Sequence, residues 1–237
     1  MFLVALVPIF AGLIAIADAL GLGSFVDVFR PESAPISYSA ETIADVCLAG
    51  PAFLPTASAE ATLAEPPPDD LDALFERPGA AFVGRAGVEV SIQGSSFRTI
   101  TLTGIDFTVK RHRRHPTGSS FHGQCGDAGF TRVLEYDLDA EPPRLVKAQW
   151  TMPELATRPF RFPWEVSLDD PLQLLVFARA SDCTCDWTAE IEWQSGSERG
   201  SIPLIQADEP LRVVSEESVT SSYLGVPSEH LWEPGYP

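Results

Sequence analysis

The chain is built from short segments in which apolar and polar residues alternate, behind one long apolar run. In Cys183–Trp193 every odd position is apolar or Cys and every even one polar, the two-residue period of a half-buried strand. Val88, Val90 and Ile92 alternate in the same way, as do Leu134, Tyr136 and Leu138 and the set Phe160, Phe162, Trp164, Val166 and Leu168. Pro163 pushes that last strand toward a sheet edge, because proline cannot donate to a ladder. Leu172–Ala178 is nearly continuous in apolar residues and predicts a strand buried on both sides. Between Ile100 and Val109 the apolar face changes parity, from Ile100 and Leu102 to Ile105, Phe107 and Val109. A period of two cannot change parity without an inserted residue, so a β-bulge or break is expected at Thr103–Gly104. Ser195–Gly200 reads as a hairpin loop into Ile202–Ile205.

Helical periodicity is scarce. The segment DDLDALFE, Asp69–Glu76, predicts a turn or two of helix, with Asp70 as its cap. Eight to ten strands separated by turns predict an all-β fold, an antiparallel β-sandwich of Ig-like or related type.

Residues 2–26 carry a single charge, Asp18, and are long enough to cross a bilayer as a helix. An uncleaved spanning helix or signal anchor is therefore expected within residues 1–28. A signal peptide cut near Ala17-Asp18-Ala19 fits less well, because no Lys or Arg precedes the run; a buried core helix would be shorter. The missing basic flank also suggests that a cytoplasmic portion once preceded the run. From Pro31 to Ala80 eight prolines and nine acidic residues are interleaved with Ala and Ser, against one basic residue. Such composition predicts an extended acidic stalk over residues 29–80, followed by a β-domain over 81–215 and a tail over 216–237.

The net charge of −17 excludes a generic nucleic-acid-binding role, which needs a basic face. Arg30, on the downstream side of the apolar run, would weakly place that side in the cytoplasm. The four cysteines, Cys47, Cys125, Cys183 and Cys185, weigh more. They form an even set without zinc-finger or redox spacing, so disulfides and an extracytoplasmic position after about residue 30 are expected. Cys183 and Cys185 project from one face of an ideal strand with Cα atoms about 6.6 Å apart. That spacing predicts that each pairs elsewhere, one with Cys47 and the other with Cys125. A soft-metal site of His122, Cys125, Cys183 and Cys185 is the alternative; otherwise no metal or cofactor is implied.

The segments SIQGSS, ITLTGIDFTV, RFPWEVSLDDPL and CTCDWTAEIEWQSGSERGS resemble an uncharacterised actinobacterial domain. That domain recurs as the extracytoplasmic C-terminal part of membrane proteins, some of them labelled transcriptional regulators. The resemblance covers roughly residues 85–215 and brings no established active site; the helix-turn-helix of the regulators has no counterpart here.

Candidate chemistry is sparse. No GxSxG, HExxH or P-loop spacing occurs. Trp164, Trp187 and Trp193 lie on apolar strand faces and are expected in the core rather than against sugars. One basic cluster stands out in the acidic chain: Lys110, Arg111, His112, Arg113, Arg114 and His115. It is expected to open a long loop, Arg113–Gly129, and to grip an anionic envelope polymer or protein partner. A membrane-anchored extracytoplasmic binding, sensing or interaction module is thus expected. An exported enzyme acting on envelope polymers, or a metal or redox domain using the Cys183/Cys185 strand, is the alternative.

Overall fold

Alternation is realised most fully on two strands. In β4 (Arg85–Gly94) Val88, Val90 and Ile92 are buried while Glu89 is exposed. In β11 (Thr184–Ser195) Cys185, Trp187, Ala189, Ile191 and Trp193 are all buried. The computed structural model describes residues 35–95, 98–123, 132–146, 161–205 and 208–235. In these residues β4 lies in a five-stranded sheet with β1 (Ile36–Ile43) on one side. On its other side follow β10 (Leu172–Arg179), β7 (Val133–Asp137) and β8 (Arg144–Val146).

β11 lies in a ten-stranded sheet, between β13 (Leu211–Val214) and β5 (Ile100–His112), with β9 (Trp164–Val166) beyond β5 at the edge. From β13 the order runs on through β3 (Ala81–Val83), β2 (Ala52–Pro55) and β6 (Gly118–His122). It ends with β14 (Val219–Val226) and β15 (Leu231–Pro234), and β12 (Glu198–Pro203) forms a hairpin with β11. One apolar cluster joins the two sheets, with Val88, Val90, Leu174 and Val176 from the smaller and Ile100, Leu102, Trp187 and Val213 from the larger.

The fold is all-β, as expected, but the sheets are mixed rather than antiparallel. β10 pairs in parallel with β7, β13 with β3, and β14 with β6. Parallel neighbours need long connections, so none leaves a hairpin signal in the sequence. The described residues hold fifteen strands where eight to ten were expected, because several are only three to five residues long and too short for alternation to register.

Expected details fall into place. β5 runs opposite β11 with a register shift: Gly104 faces Glu192 and Leu102 faces Trp193, leaving Thr103 as the inserted residue. Leu71–Glu76 is a 3-10 helix whose Asp70 side chain accepts from the N–H of Asp72 at 3.0 Å. β9, next to Pro163, is an edge strand.

The stalk and the tail are corrected. From Ile36 onward the acidic stretch is part of the folded unit: β1 pairs with β4 along its whole length, from Ile36 opposite Gly94 to Ile43 opposite Gly87. A short helix, α1 (Thr56–Leu63), follows β2. Ile36, Ile43, Val46, Phe53, Leu54 and Leu74 are buried, and these scattered anchors outweigh the Pro-rich composition around them. Residues 216–235 are likewise built in, β14 pairing with β6 and β15 with β14, while Trp232 packs edge-on against Phe121. The expected spanning helix at residues 1–28 lies outside the described residues. Among the described residues no helix is long and apolar enough to cross a membrane.

Candidate functional site

The basic cluster falls at the end of β5, where that strand leaves its ladder with β11. Register places Lys110 opposite Asp186, Arg111 opposite Cys185 and His112 opposite Thr184. Because opposed residues share a sheet face, Arg111 lies on the side of Cys185, whereas Lys110 and His112 lie on the side of Thr184 and Asp186. Alternation therefore splits the cluster between two environments.

Three of its six members are engaged internally. Arg111 donates from Nη2 to the carbonyls of Leu138 at 2.7 Å and Ala140 at 2.8 Å, and stands 3.7 Å from the Glu141 carboxylate. His112 donates from Nε2 to Asp186 Oδ2 at 2.7 Å. His115 Nδ1 lies 3.1 Å from the Thr184 hydroxyl. Lys110, Arg113 and Arg114 are exposed and make no hydrogen bond or ion pair among the described residues. The expected long loop is shorter than composition implied, since β6 occupies Gly118–His122 inside it.

Asp186 is the electrostatic centre of this strand end. Arg212 on β13 reaches it with Nε to Oδ1 at 2.6 Å and Nη2 to Oδ2 at 3.1 Å, while His112 closes on Oδ2. Burial by itself would raise the carboxyl pKa, but the hydrogen bonds from Arg212 and His112, with their charges, hold it below the ordinary carboxylate value. The same pairing outweighs burial at Arg212 and raises its pKa. Asp186, Arg212, Leu211, Phe82, Phe75 and Thr42 line a cleft of about 440 Å³. With its lone pairs occupied on both sides, Asp186 serves as a fixed anionic clamp for His112 and Arg212 rather than as a base. The sequence marks Asp186 only as one polar position on an alternating strand, and nothing near Arg212 signals its partner.

Cys183 and Cys185 are bonded to each other, with Cα atoms 5.6 Å apart. This corrects the expected pairing of each with a distant cysteine. The ideal strand spacing does not apply, because β11 begins at Thr184 and the backbone before it bends around Asp139. The Asp139 carboxylate accepts from the N–H groups of Ser181 at 2.7 Å, Asp182 at 3.1 Å and Cys183 at 2.9 Å. Cys47 is also disulfide-bonded, and Cys125 lies outside the described residues. The alternative metal set thereby loses two of its four ligands to the bridge.

His122, the third member of that set, serves another cluster. Its Nε2 lies 2.8 Å from the Ser222 hydroxyl and 3.1 Å from that of Ser120, which itself donates to Ser222 at 3.1 Å. Burial lowers its pKa, so the ring is held neutral, with Nε2 placed to accept from the Ser222 hydroxyl. Trp187 and Trp193 are buried, and Trp164 is half-buried beneath the Arg132 guanidinium, which lies 4.9 Å from its ring centre. Comparison of the chain with protein-family models, with curated proteins and with solved structures finds no match.

Proposed function

We propose that the chain is a membrane-anchored extracytoplasmic binding module that contacts an anionic polymer or acidic partner through the cationic end of β5. The anchor is the apolar run within residues 1–28, and the two-sheet body is read as a sandwich-type module, in keeping with the resemblance to extracytoplasmic actinobacterial domains. The observation that carries the reading is the exposed set Lys110, Arg113 and Arg114, whose side chains are unpaired among the described residues, in a chain of net charge −17. Three neighbouring cations that no described carboxylate pairs form a local positive field in an acidic chain. Arg111, His112 and His115 support it differently, by fixing the strand end from which those cations project.

The test replaces only the free cations. Lys110→Ser, Arg113→Ser and Arg114→Ser together should abolish retention on dextran-sulfate resin at low salt, and the parent should itself release as ionic strength approaches about 0.15 M, where the Debye length is about 8 Å. Retention of the triple variant equal to the parent's at low salt would sink the proposal. Circular dichroism should be unchanged, because none of the three side chains makes a hydrogen bond or ion pair among the described residues.

A further inference from the structure

We propose that the Cys183–Cys185 bridge is a thiol–disulfide exchange site, reduced by an extracytoplasmic protein dithiol. This goes beyond the binding reading and rests on it only for the extracytoplasmic position.

The first support is topological. The bridge spans a single residue, Thr184, and in the chain-entropy view a cross-link closing so short a loop constrains the unfolded chain least. A bridge of such small structural use invites a chemical one. The second is an asymmetry between its sulfurs. Cys183 is half-buried at the mouth of β11, whereas Cys185 is fully buried in the apolar core. An attacking thiolate therefore meets the Cys183 side of the bridge, and the direction of exchange follows from access. The third is placement. The N–H of Cys183, with those of Ser181 and Asp182, is held by the Asp139 carboxylate, which fixes the half-buried end of the bridge at the mouth of β11.

The step balances as follows. A thiolate of the reducing dithiol attacks Cys183 Sγ, the Cys183–Cys185 bond breaks, and the electron pair leaves on Cys185 Sγ, which takes up a proton. The second thiol of the reductant then attacks the mixed disulfide, releasing the Cys183 thiolate to be protonated and leaving the reductant as its disulfide. Two electrons and two protons pass to the chain. The consequence reaches the basic end of β5. Asp139 holds Cys183, and the carbonyls flanking Asp139, those of Leu138 and Ala140, are held by Arg111. Reduction therefore removes the covalent tie from a network that runs through Asp139 to Arg111.

The experiment titrates the full chain with dithiothreitol as the dithiol probe, quenches by alkylation and locates labels by peptide mass mapping. Cys183 and Cys185 should be labelled together at reductant levels that leave Cys47 unlabelled and circular dichroism unchanged. In single variants treated with an aromatic disulfide probe, Cys185→Ser (leaving Cys183) should react about tenfold or more faster than Cys183→Ser (leaving Cys185), as exposure dictates. Labelling of Cys183 and Cys185 only after Cys47, or only with loss of structure, overturns the proposal; so do equal rates for the two variants. Dextran-sulfate retention of the oxidised chain is read separately, so either proposal can fail alone.

Discussion

Asp139 is the residue whose removal reports most directly on how the strand end is built. Its carboxylate accepts three backbone N–H groups, from Ser181, Asp182 and Cys183. Asp139→Ala deletes all three acceptors at once. Ser181 and Asp182 are exposed, so water replaces the lost partner at a cost of about 0.5 kcal/mol each. Cys183 is half-buried, and orphaning its N–H costs a further ~1–2 kcal/mol. The expected loss is about 2–3 kcal/mol. Asp139→Asn keeps the shape and one acceptor oxygen but sets an amide NH2 among three donors, so about half that loss should remain. Urea denaturation of the oxidised chain measures both. With a slope near 2 kcal/mol/M, the midpoint should fall by about 1–1.5 M for the Ala variant and roughly half as much for the Asn variant. An Ala midpoint within about 0.2 M of the parent at unchanged slope would show that the three bonds are replaced by water and that the bend before β11 holds without them.

Two further outcomes are expected. In acid, stability should fall in two windows. His122 has a folded pKa below its ordinary value of about 6.5, so the unfolded chain takes up that proton first and stability declines as pH drops below about 6.5. Asp186, also held below its ordinary value, contributes stability above about pH 4 that is lost as pH falls further through its folded value. Urea midpoints across pH should show the first decline missing in His122→Gln and the second shallower in Asp186→Asn; parallel profiles for parent and variants would contradict both assignments. Gly87→Ala should destabilise by about 1–3 kcal/mol, because a Cβ there meets the Phe177 ring, over which Arg85 already lies, and comes within 3.1 Å of the Ile43 side chain. Thermal melting measures the loss, and Phe177→Leu in the same chain should recover part of it; an unchanged melting temperature for Gly87→Ala would contradict this packing.

Whatever depended on local periodicity was legible in the order of residues alone. The bulge at Thr103 followed from a change of parity that no regular strand permits, and the buried face of β11 from eleven residues of alternation. The cap at Asp70 followed from its position ahead of a short apolar run, and the edge placement of β9 from Pro163. Each of these is decided by residues a few positions apart. Whatever depended on which strands become neighbours was hidden. The Pro-rich acidic segment looked like a stalk because its apolar anchors, Ile36, Ile43, Phe53 and Leu54, are diluted below the level composition registers, yet each finds a place beneath a strand far away in sequence. The parallel pairs are closed by long connections that carry no turn signature. In the basic cluster, sequence supplied the six residues but not their division: Arg111 and His112 are engaged because residues 138–141 and Asp186 are brought to them across 27 to 74 positions, while the side chains of Lys110, Arg113 and Arg114 find no hydrogen-bond or ionic partner among the described residues. The cysteine bridge turned on the same cause. A free strand would hold Cys183 and Cys185 near 6.6 Å, and it is a carboxylate 44 residues away, on Asp139, that holds the backbone entering β11, where the two Cα atoms stand 5.6 Å apart.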